Sequence, residues 1–432
     1  MPYNDQFECM PFEELQKFQL AKLKETVAWL YERVPFYKNK LDELGIKADD
    51  LKRVEDISKL PFTVKTDLRD NYPFGLCAVP LKEVVRVHAS SGTTGKPITG
   101  PYTVGDLDQW SECVARVLWA AGVREDDIFQ NAYGHGLFTG GLGLHQGATR
   151  LGCTVVPTSS GMTERQILIM KDFGTTGICC TPSYALTIAE RAEELGTPLK
   201  DLPLRVGVFG AEPWTNAMRQ EIEERMGIKA RDIYGLTELG GPGMAYECEA
   251  ENGLHINEDH FIAEIVDPIT LEPVPMGERG ELVLTAIQRR AMPLLRYRTK
   301  DITTLRREKC SCGSTFVKMD RITGRSDDML IINGVNVFPS QIESLLKDFE
   351  EVELQYVLHV GKKKHLDQVN LRVEAKQDVY DAGPEKIVQV EKKISSHIKG
   401  ILGVGVGVEL AAPKALTRSE GKAVRVIDER PK

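Results

Sequence analysis

Long apolar runs are absent from this chain. None reaches the ~18 consecutive residues that a membrane-spanning helix requires, so no partnership with a membrane is expected. The opening MPYNDQFECM lacks the charged-then-apolar layout of a secretion signal. Basic residues are in deficit: 55 Lys and Arg against 63 Asp and Glu give a formal charge of -8. The field of the whole molecule therefore does not favour nucleic acid. An anionic ligand would need a local set of backbone amides and a few Lys or Arg. Nine cysteines in 432 residues are too few for a disulfide-stapled miniprotein and, without an export signal, point to a reducing cytoplasm. There is no internal repeat and no low-complexity tract. What is present is ordinary for a folded chain, 42% hydrophobic and 27% charged, and the length is too great for one core, so two or more domains are expected.

Hydrophobic spacing organises the chain. Phe12, Leu15, Leu23, Val27, Leu30 and Val34 recur near the helical period, and Pro35 stops the helix. From about residue 80, short β-branched runs alternate with helical stretches: VVRVHA, CTVVP, TGICC, LRVGVFG and ARDIYG. Such alternation predicts a large α/β domain with a mostly parallel sheet covered on both faces, whose ligands bind at the C-terminal ends of strands. Residues 261–332 read as strands and turns, a β-rich subdomain. After Gly324-Arg325-Ser326-Asp327-Asp328 a fresh α+β pattern begins, which divides the chain into 1–324, a connecting 325–328, and a small domain over 329–432. Cys9, Cys77, Cys113, Cys153 and the pair Cys179-Cys180 stand in mostly apolar surroundings and read as small core residues.

Several short segments can carry chemistry. Ser90-Ser91-Gly92-Thr93-Thr94-Gly95-Lys96-Pro97 follows strand VVRVHA. Small residues let backbone N–H groups turn inward, four hydroxyls add donors and Lys96 adds charge, which suits a polyphosphate. A Walker A loop is ruled out, since Ser90 stands where its first Gly belongs and Pro97 where its Ser or Thr belongs. The bland alternative is a flexible linker. In Asp232-Ile233-Tyr234-Gly235-Leu236-Thr237-Glu238, a carboxylate leaving a strand beside a hydroxyl can hold Mg²⁺ and meet phosphate oxygens, and Tyr234 can stack on a base; a plain helix start is the alternative. Gly210-Ala211-Glu212-Pro213 also leaves a strand end. Asp301, in Arg296-Tyr297-Arg298-Thr299-Lys300-Asp301, suits a ribose diol or a simple turn. Lys422, in Arg418-Ser419-Glu420-Gly421-Lys422, reads alone as a solvated lysine.

Residues 133–145, Tyr-Gly-His-Gly-Leu-Phe-Thr-Gly-Gly-Leu-Gly-Leu-His, set aromatic side chains among glycines. That composition can shape an apolar slot for a planar acid, with Gly210 and Gly240 letting a ring approach backbone, or it can be a Gly-rich packing site at a helix start. Cys248, seven residues before His255, together with Cys310 and Cys312, makes three sulfurs and one imidazole. This is a closed tetrahedral set for structural zinc, unless these are simply reduced cysteines.

In their order and rough spacing SSGTTGKP, YGLTE, YRTKD, GRSDDMLIINGVNVFP and RSEGKAVRV resemble the adenylate-forming superfamily, and within it the phenylacetate–CoA ligase family, over nearly the whole chain. The resemblance implies an ATP-dependent ligase. A carboxylate attacks the α-phosphorus of ATP, giving an acyl-adenylate and pyrophosphate, and coenzyme A thiol then displaces AMP. It implies residues 90–97 for the β- and γ-phosphates, Glu238 for Mg²⁺ and Thr237 for the α-phosphate. Gly210, Ala211, Glu212, Asp232, Ile233, Tyr234, Gly235 and Arg325 would surround the nucleotide, with Asp301 on the ribose. Tyr133 and Phe138 match the aromatics of the acid pocket, Asp327 the hinge, and Lys422 the group bridging carboxylate and α-phosphate. A homodimer is implied by resemblance alone. One departure is Ile98, which follows Pro97 where many superfamily members have Lys, leaving the charge to Lys96 or to backbone. Rival readings are a ligase for another aryl acid (indoleacetate, benzoate, a phenylpropanoid), an adenylate donor to a carrier protein, and a nonenzymatic nucleotide-binding relative.

Overall fold

In the N-terminal segment Leu15, Leu23, Val27 and Leu30 fall on one stripe of the helix Phe12–Arg33, all at most 1% exposed. Pro35 ends it and opens the next helix, Pro35–Leu44, at a position where its missing N–H costs nothing. The structure, a computed structural model, describes residues 2–90, 97–322, 324–326, 330–332, 335–337, 339–363, 366–418 and 425–430. Ser91, Gly92, Thr93, Thr94, Gly95, Lys96, Asp327 and Lys422 lie outside the described residues.

Two strands come first, β1 (Arg86–Ala89) and β2 (Thr99–Tyr102), paired antiparallel as a separate ribbon. The sequence pattern places VVRVHA in the parallel sheet; the structure does not. The connection through residues 90–98 is too short for the crossover a parallel neighbour needs, so the chain returns as a hairpin. A helix Val104–Ala120 follows, with Thr103 capping it: its hydroxyl accepts from the Asp106 N–H while the Asp106 carboxylate accepts from the Thr103 N–H.

The main sheet begins with β3 (Ile128–Asn131), β4 (Thr154–Val156), β5 (Gly177–Cys180), β6 (Val206–Gly210) and β7 (Lys229–Leu236), ordered β4-β3-β5-β6-β7 and parallel throughout. Side chains alternate between two cores. Ile178, Cys180 and Phe209 pack under the helices Thr163–Phe173, Pro182–Glu194 and Asn216–Met226. Cys179, Val206 and Val208 pack under Val104–Ala120 and Thr139–Leu151 on the other face. β3 is invisible in the hydrophobic pattern because two of its four residues, Gln130 and Asn131, are polar. Both are fully buried and hydrogen-bonded, to Gln166 and to the Gly141 carbonyl.

The β-rich portion is continuous with this sheet. β7 takes an antiparallel neighbour, β8 (Gly241–Glu247), and the order runs on through β9 (Leu254–Ile256), β13 (Lys318–Met319), β12 (Tyr297–Arg306), β11 (Arg279–Ala286) and β10 (Phe261–Val266). The N-terminal helices cover this half. The C-terminal lobe has its own apolar core. It holds a ribbon, β14 (Leu330–Ile332) with β15 (Val335–Val337), and a four-stranded sheet ordered β18-β17-β16-β19, with β16 at Val352–Lys363, β17 at Leu366–Ala375, β18 at Val406–Ala411 and β19 at Val426–Asp428. The helix Pro384–Leu402 buries Val390, Ile394 and Ile398 there. Among the described residues no helix is long and apolar enough to cross a membrane.

Two expectations for cysteine are corrected. Cys9 is exposed, at the end of the short helix Asp5–Glu8, where its thiol donates to the Gly313 carbonyl; Cys77 is half-buried. Apolar neighbours in sequence do not bury a residue at a helix end that faces a loop. Cys113, Cys153, Cys179 and Cys180 are buried, and burial holds each thiol above its ordinary range.

Candidate active site and metal centre

β6 and β7 end side by side, and a cavity of about 120 Å³ opens over their C-terminal ends. Ala211 and Glu212 border it where the chain leaves β6; Asp232, Ile233, Tyr234 and Gly235 border it from β7; Asp301 closes it from β12, and Arg325 from beyond β13. Eight of the residues expected around a nucleotide thus share one rim, although up to 114 positions separate them in sequence (325 - 211 = 114). Gly210 lies just behind. A Cβ there would sit 2.3 Å from the Ile233 carbonyl oxygen, so β6 and β7 can pair this closely only because it is glycine.

The polar groups on the rim are held in place. The Tyr234 hydroxyl donates to one Asp301 oxygen at 2.5 Å and Arg325 donates to the other at 3.0 Å. Glu212 accepts from the Ser183 N–H at 2.8 Å, which ties the rim to the start of the helix Pro182–Glu194. Burial, and the negative charge of Glu247 behind it, push the Asp232 carboxyl up to about 7. Ala211 and Lys300 have φ of 71° and 69°, the left-handed region that side chains disfavour, and Arg296 has 42°. Such strain within the very motifs that border the cavity is a mark of a functional site.

Two further rim residues carry no motif of their own. Arg321 lies 3.4 Å from Asp232, bonds the Asn216 side chain at 3.1 Å and stacks over Trp214 at 4.6 Å. Trp214 follows Gly210-Ala211-Glu212-Pro213 directly, a position from which it could have been inferred; Arg321 left no such signal.

Thr237 and Glu238 follow β7 in a tight turn. The Thr237 hydroxyl is 3.4 Å from that of Thr139, and Arg289 donates to the Glu238 carbonyl at 2.6 Å. The Glu238 carboxylate is 7% exposed and accepts from the Tyr297 hydroxyl at 2.5 Å. No described Lys, Arg or His forms an ion pair with it. A buried carboxylate that accepts a hydroxyl on one oxygen keeps lone pairs that suit a divalent metal. Ser90 sits at the base of the ribbon, where its N–H donates to the Ile98 carbonyl at 2.9 Å and its hydroxyl accepts from the Ile98 N–H at 3.0 Å.

Tyr133 leaves the end of β3, fully buried, and its hydroxyl meets the Gly210 backbone; Phe138 lies beside it at 6.2 Å between ring centroids. The lining of the cavity over β6 and β7 includes none of Tyr133, Phe138 and Gly210, and the Phe138 side chain is exposed. Gly240 instead borders a small cavity with Tyr102, Trp110 and Arg289. Most of the glycines that follow Phe138 belong to the helix Thr139–Leu151. A Cβ on Gly143 would sit 2.4 Å from Trp110, and one on Gly147 2.3 Å from Val114. Their smallness serves close packing against the helix Val104–Ala120, which offsets their poor helix propensity of about 1 kcal/mol each.

At the far side of the antiparallel half, Cys248, His255, Cys310 and Cys312 bring their ligand atoms within 4.8 Å of one another. Cys248 and Cys310 sulfurs are 3.6 Å apart, and Cys312 sulfur is 3.4 Å from His255 Nε2. A tetrahedron with Zn–S near 2.3 Å has edges of about 3.8 Å, whereas a disulfide requires about 2.05 Å. His255 Nδ1 meets the Phe316 carbonyl at 3.1 Å, which turns Nε2 toward the sulfurs. Hydrogen bonds from Cys248 and His255 lower the Cys312 thiol below its ordinary range. The four side chains fit a tetrahedral metal of the zinc type.

Comparison with known proteins agrees with this geometry. The family described as AMP-binding enzyme matches residues 78–288, and the AMP-binding enzyme C-terminal domain matches residues 334–430. Phenylacetate-coenzyme A ligase of Thermus thermophilus is 49% identical over 442 residues, covering 99% of this chain and 99% of that one. The enzyme of that name from Escherichia coli K12 is also 49% identical, over 98% of this chain and 97% of that one. Among solved structures, 2-hydroxyisobutyryl-CoA ligase in the postadenylation state, with an acyl-AMP named R3-HIB-AMP, superposes with a TM-score of 0.93 at 30% identity, covering 99% of this chain and 94% of that one. The same ligase in the thioesterification state, with 2-HIB-AMP and CoA, gives 0.74 over 99% of this chain and 92% of that one.

Proposed function

The chain belongs to the phenylacetate–coenzyme A ligase family of AMP-binding enzymes, and from that membership we propose that it activates phenylacetate with ATP and transfers the acyl group to coenzyme A. The carboxylate oxygen bonds to the α-phosphorus and pyrophosphate leaves; the thiol sulfur then bonds to the acyl carbon and AMP leaves. The observation that carries this reading is the single cavity on which Glu212, Asp232, Tyr234, Asp301 and Arg325 converge.

The site residues then take these roles. Asp301, held by Tyr234 and Arg325, keeps lone pairs on both oxygens for the ribose hydroxyls. Ala211, Glu212 and the Asp232–Gly235 stretch embrace the base. Tyr133 and Phe138, 6.2 Å apart between ring centroids, flank the ring of the acid. The chemical obstacle is repulsion between a carboxylate and a phosphate, so charge neutralisation and alignment matter more than any protein nucleophile. Neither a catalytic triad nor a nucleophile elbow is needed. Glu238, oriented by Tyr297, would hold Mg²⁺, and the metal would supply charge neutralisation. Thr237 and residues 90–96 bind phosphate, and Lys422 bridges the two reacting anions. The lobes divide at 325–328, with Asp327 as the pivot. Cys248, His255, Cys310 and Cys312 would hold structural zinc, and a homodimer is the expected assembly.

The deciding experiment is pyrophosphate release with phenylacetate, indoleacetate, benzoate and a phenylpropanoid, each with and without coenzyme A. Release that is fastest with phenylacetate, and AMP-forming thioester synthesis once coenzyme A is added, is the expected outcome. Fastest release with another acid reassigns the substrate, and no release with any acid overturns the activity.

A further inference from the structure

The polar loop after β18 leaves Ala411, passes Lys414, Leu416 and Arg418, and in sequence reaches Lys422 four residues later. Its anchor within the C-terminal lobe is Glu374 on β17, whose side chain is 1% exposed. That carboxylate accepts from Arg418 at 2.7 and 3.0 Å and from the Leu416 N–H at 2.7 Å. A buried carboxylate bonded in this way fixes the plane of the guanidinium.

The other edge of that guanidinium points out of the lobe. Arg418 Nε and Nη2 each lie 3.4 Å from an oxygen of Glu190, on the helix Pro182–Glu194 of the large lobe. One turn further on the same face, Glu194 pairs with Lys414. Both cations meet the C-terminal end of that helix, where unsatisfied carbonyls favour positive charge. Lys414 has φ of 63°, a conformation a lysine backbone disfavours, and it is held there beside its partner.

We propose that Arg418 and Lys414 form an electrostatic latch that docks the C-terminal lobe on Glu190 and Glu194, and thereby positions the Lys422 loop for adenylation but not for thioester formation. This rests on the two-step reading above. The bonds to Glu374 stay within one lobe and persist in any arrangement, whereas those to Glu190 and Glu194 cross between lobes and must break when the lobe turns. Their exposure suits that duty: the Arg418, Glu190 and Lys414 side chains are 21%, 28% and 60% accessible, so each pair is weak enough to open in every turnover. The arrangement with the latch closed superposes better on the postadenylation state than on the thioesterification state of the 30%-identical ligase, 0.93 against 0.74.

The two half-reactions are assayed separately in the full-length enzyme: pyrophosphate exchange with phenylacetate, and thioester formation from supplied phenylacetyl-adenylate and coenzyme A. Glu194→Lys and Glu190→Lys should each slow exchange by roughly five- to tenfold and leave thioester formation unchanged or faster. The charge swap Glu194→Lys with Lys414→Glu should restore exchange to within about twofold of wild type, which a merely structural role does not predict. Equal loss in both half-reactions, an exchange rate that does not respond, or failure of the swap to restore it overturns the latch. Should wild type itself give no exchange with any acid, the functional reading fails separately, and small-angle scattering still decides the latch. Glu194→Lys should then shift the scattering profile and the swap return it; a profile identical for all three proteins overturns it.

Discussion

Tyr297 shows how much one side chain decides here. It stands in Arg296-Tyr297-Arg298, a motif noticed for Asp301, and its hydroxyl reaches back across 59 positions to the Glu238 carboxylate. Burial and the negative charge of Glu238 raise its phenol well above the ordinary range, so it remains a donor at any working pH. Tyr297→Phe removes this bond, and hydrogen bonds to charged groups contribute about 1.5–3 kcal/mol. The Mg²⁺ midpoint for pyrophosphate exchange should rise at least about tenfold, with the KM for phenylacetate unchanged. Mn²⁺ binding followed by electron paramagnetic resonance, in the presence of ATP, should weaken in parallel. Unaltered metal affinity would leave Glu238 without its assigned duty. Nothing in the local sequence pointed to Tyr297, since its partner lies in the turn after β7, far away in the chain.

Among the elements, the strands around the cysteine–histidine cluster behave as a fastening. His255 lies on β9, opposite Tyr246 of β8 in register, and the loop bearing Cys310 and Cys312 leads to β13. That loop also grips the N-terminus: the Thr315 N–H donates to the Glu8 carbonyl at 2.7 Å, and the Thr315 hydroxyl donates to that of Met10, also at 2.7 Å. A metal held here would join three strands and the first helix. Protein purified without chelator should contain about one zinc per chain, and Cys310→Ser should lose it together with roughly 5 °C or more in Tm. Metal analysis beside thermal unfolding checks both, and metal-free protein with an unchanged Tm would refute the centre. The ligand set was legible because cysteine and histidine are few and chemically distinctive. By contrast the glycine-rich stretch at 133–145 left two readings open, a pocket and a packing site; the packing is visible at Gly143, which lets its helix approach Trp110, while the pocket belongs to the proposed function. Glycine records smallness without saying what it makes room for.

At the scale of the whole molecule, the question is how Lys422 meets a nucleotide held by the large lobe. In the proposed reaction its contribution, stabilising charge as the carboxylate approaches phosphorus, is needed only in the first half-reaction. Lys422→Ala should therefore lower pyrophosphate exchange by 10² or more, while thioester formation from supplied adenylate falls by less than about threefold. Equal losses in the two assays would remove the assignment. The latch variants and this one make different claims, since the latch sets where the loop rests and Lys422 sets what it does on arrival.

The alternation of β-branched runs with helical stretches fixed the α/β class, because the periods of strand and helix are written in consecutive residues. The Tyr-Gly-Leu-Thr-Glu turn was likewise contiguous in the chain. Tertiary structure alone decided that β1 and β2 form their own ribbon, that Cys9 faces solvent, and that Tyr297 holds Glu238. It alone brought Arg418 to Glu190, 228 positions away. The division has one physical cause: local spacing dictates which element a segment forms, whereas partners and burial depend on long-range packing, which no window of sequence contains.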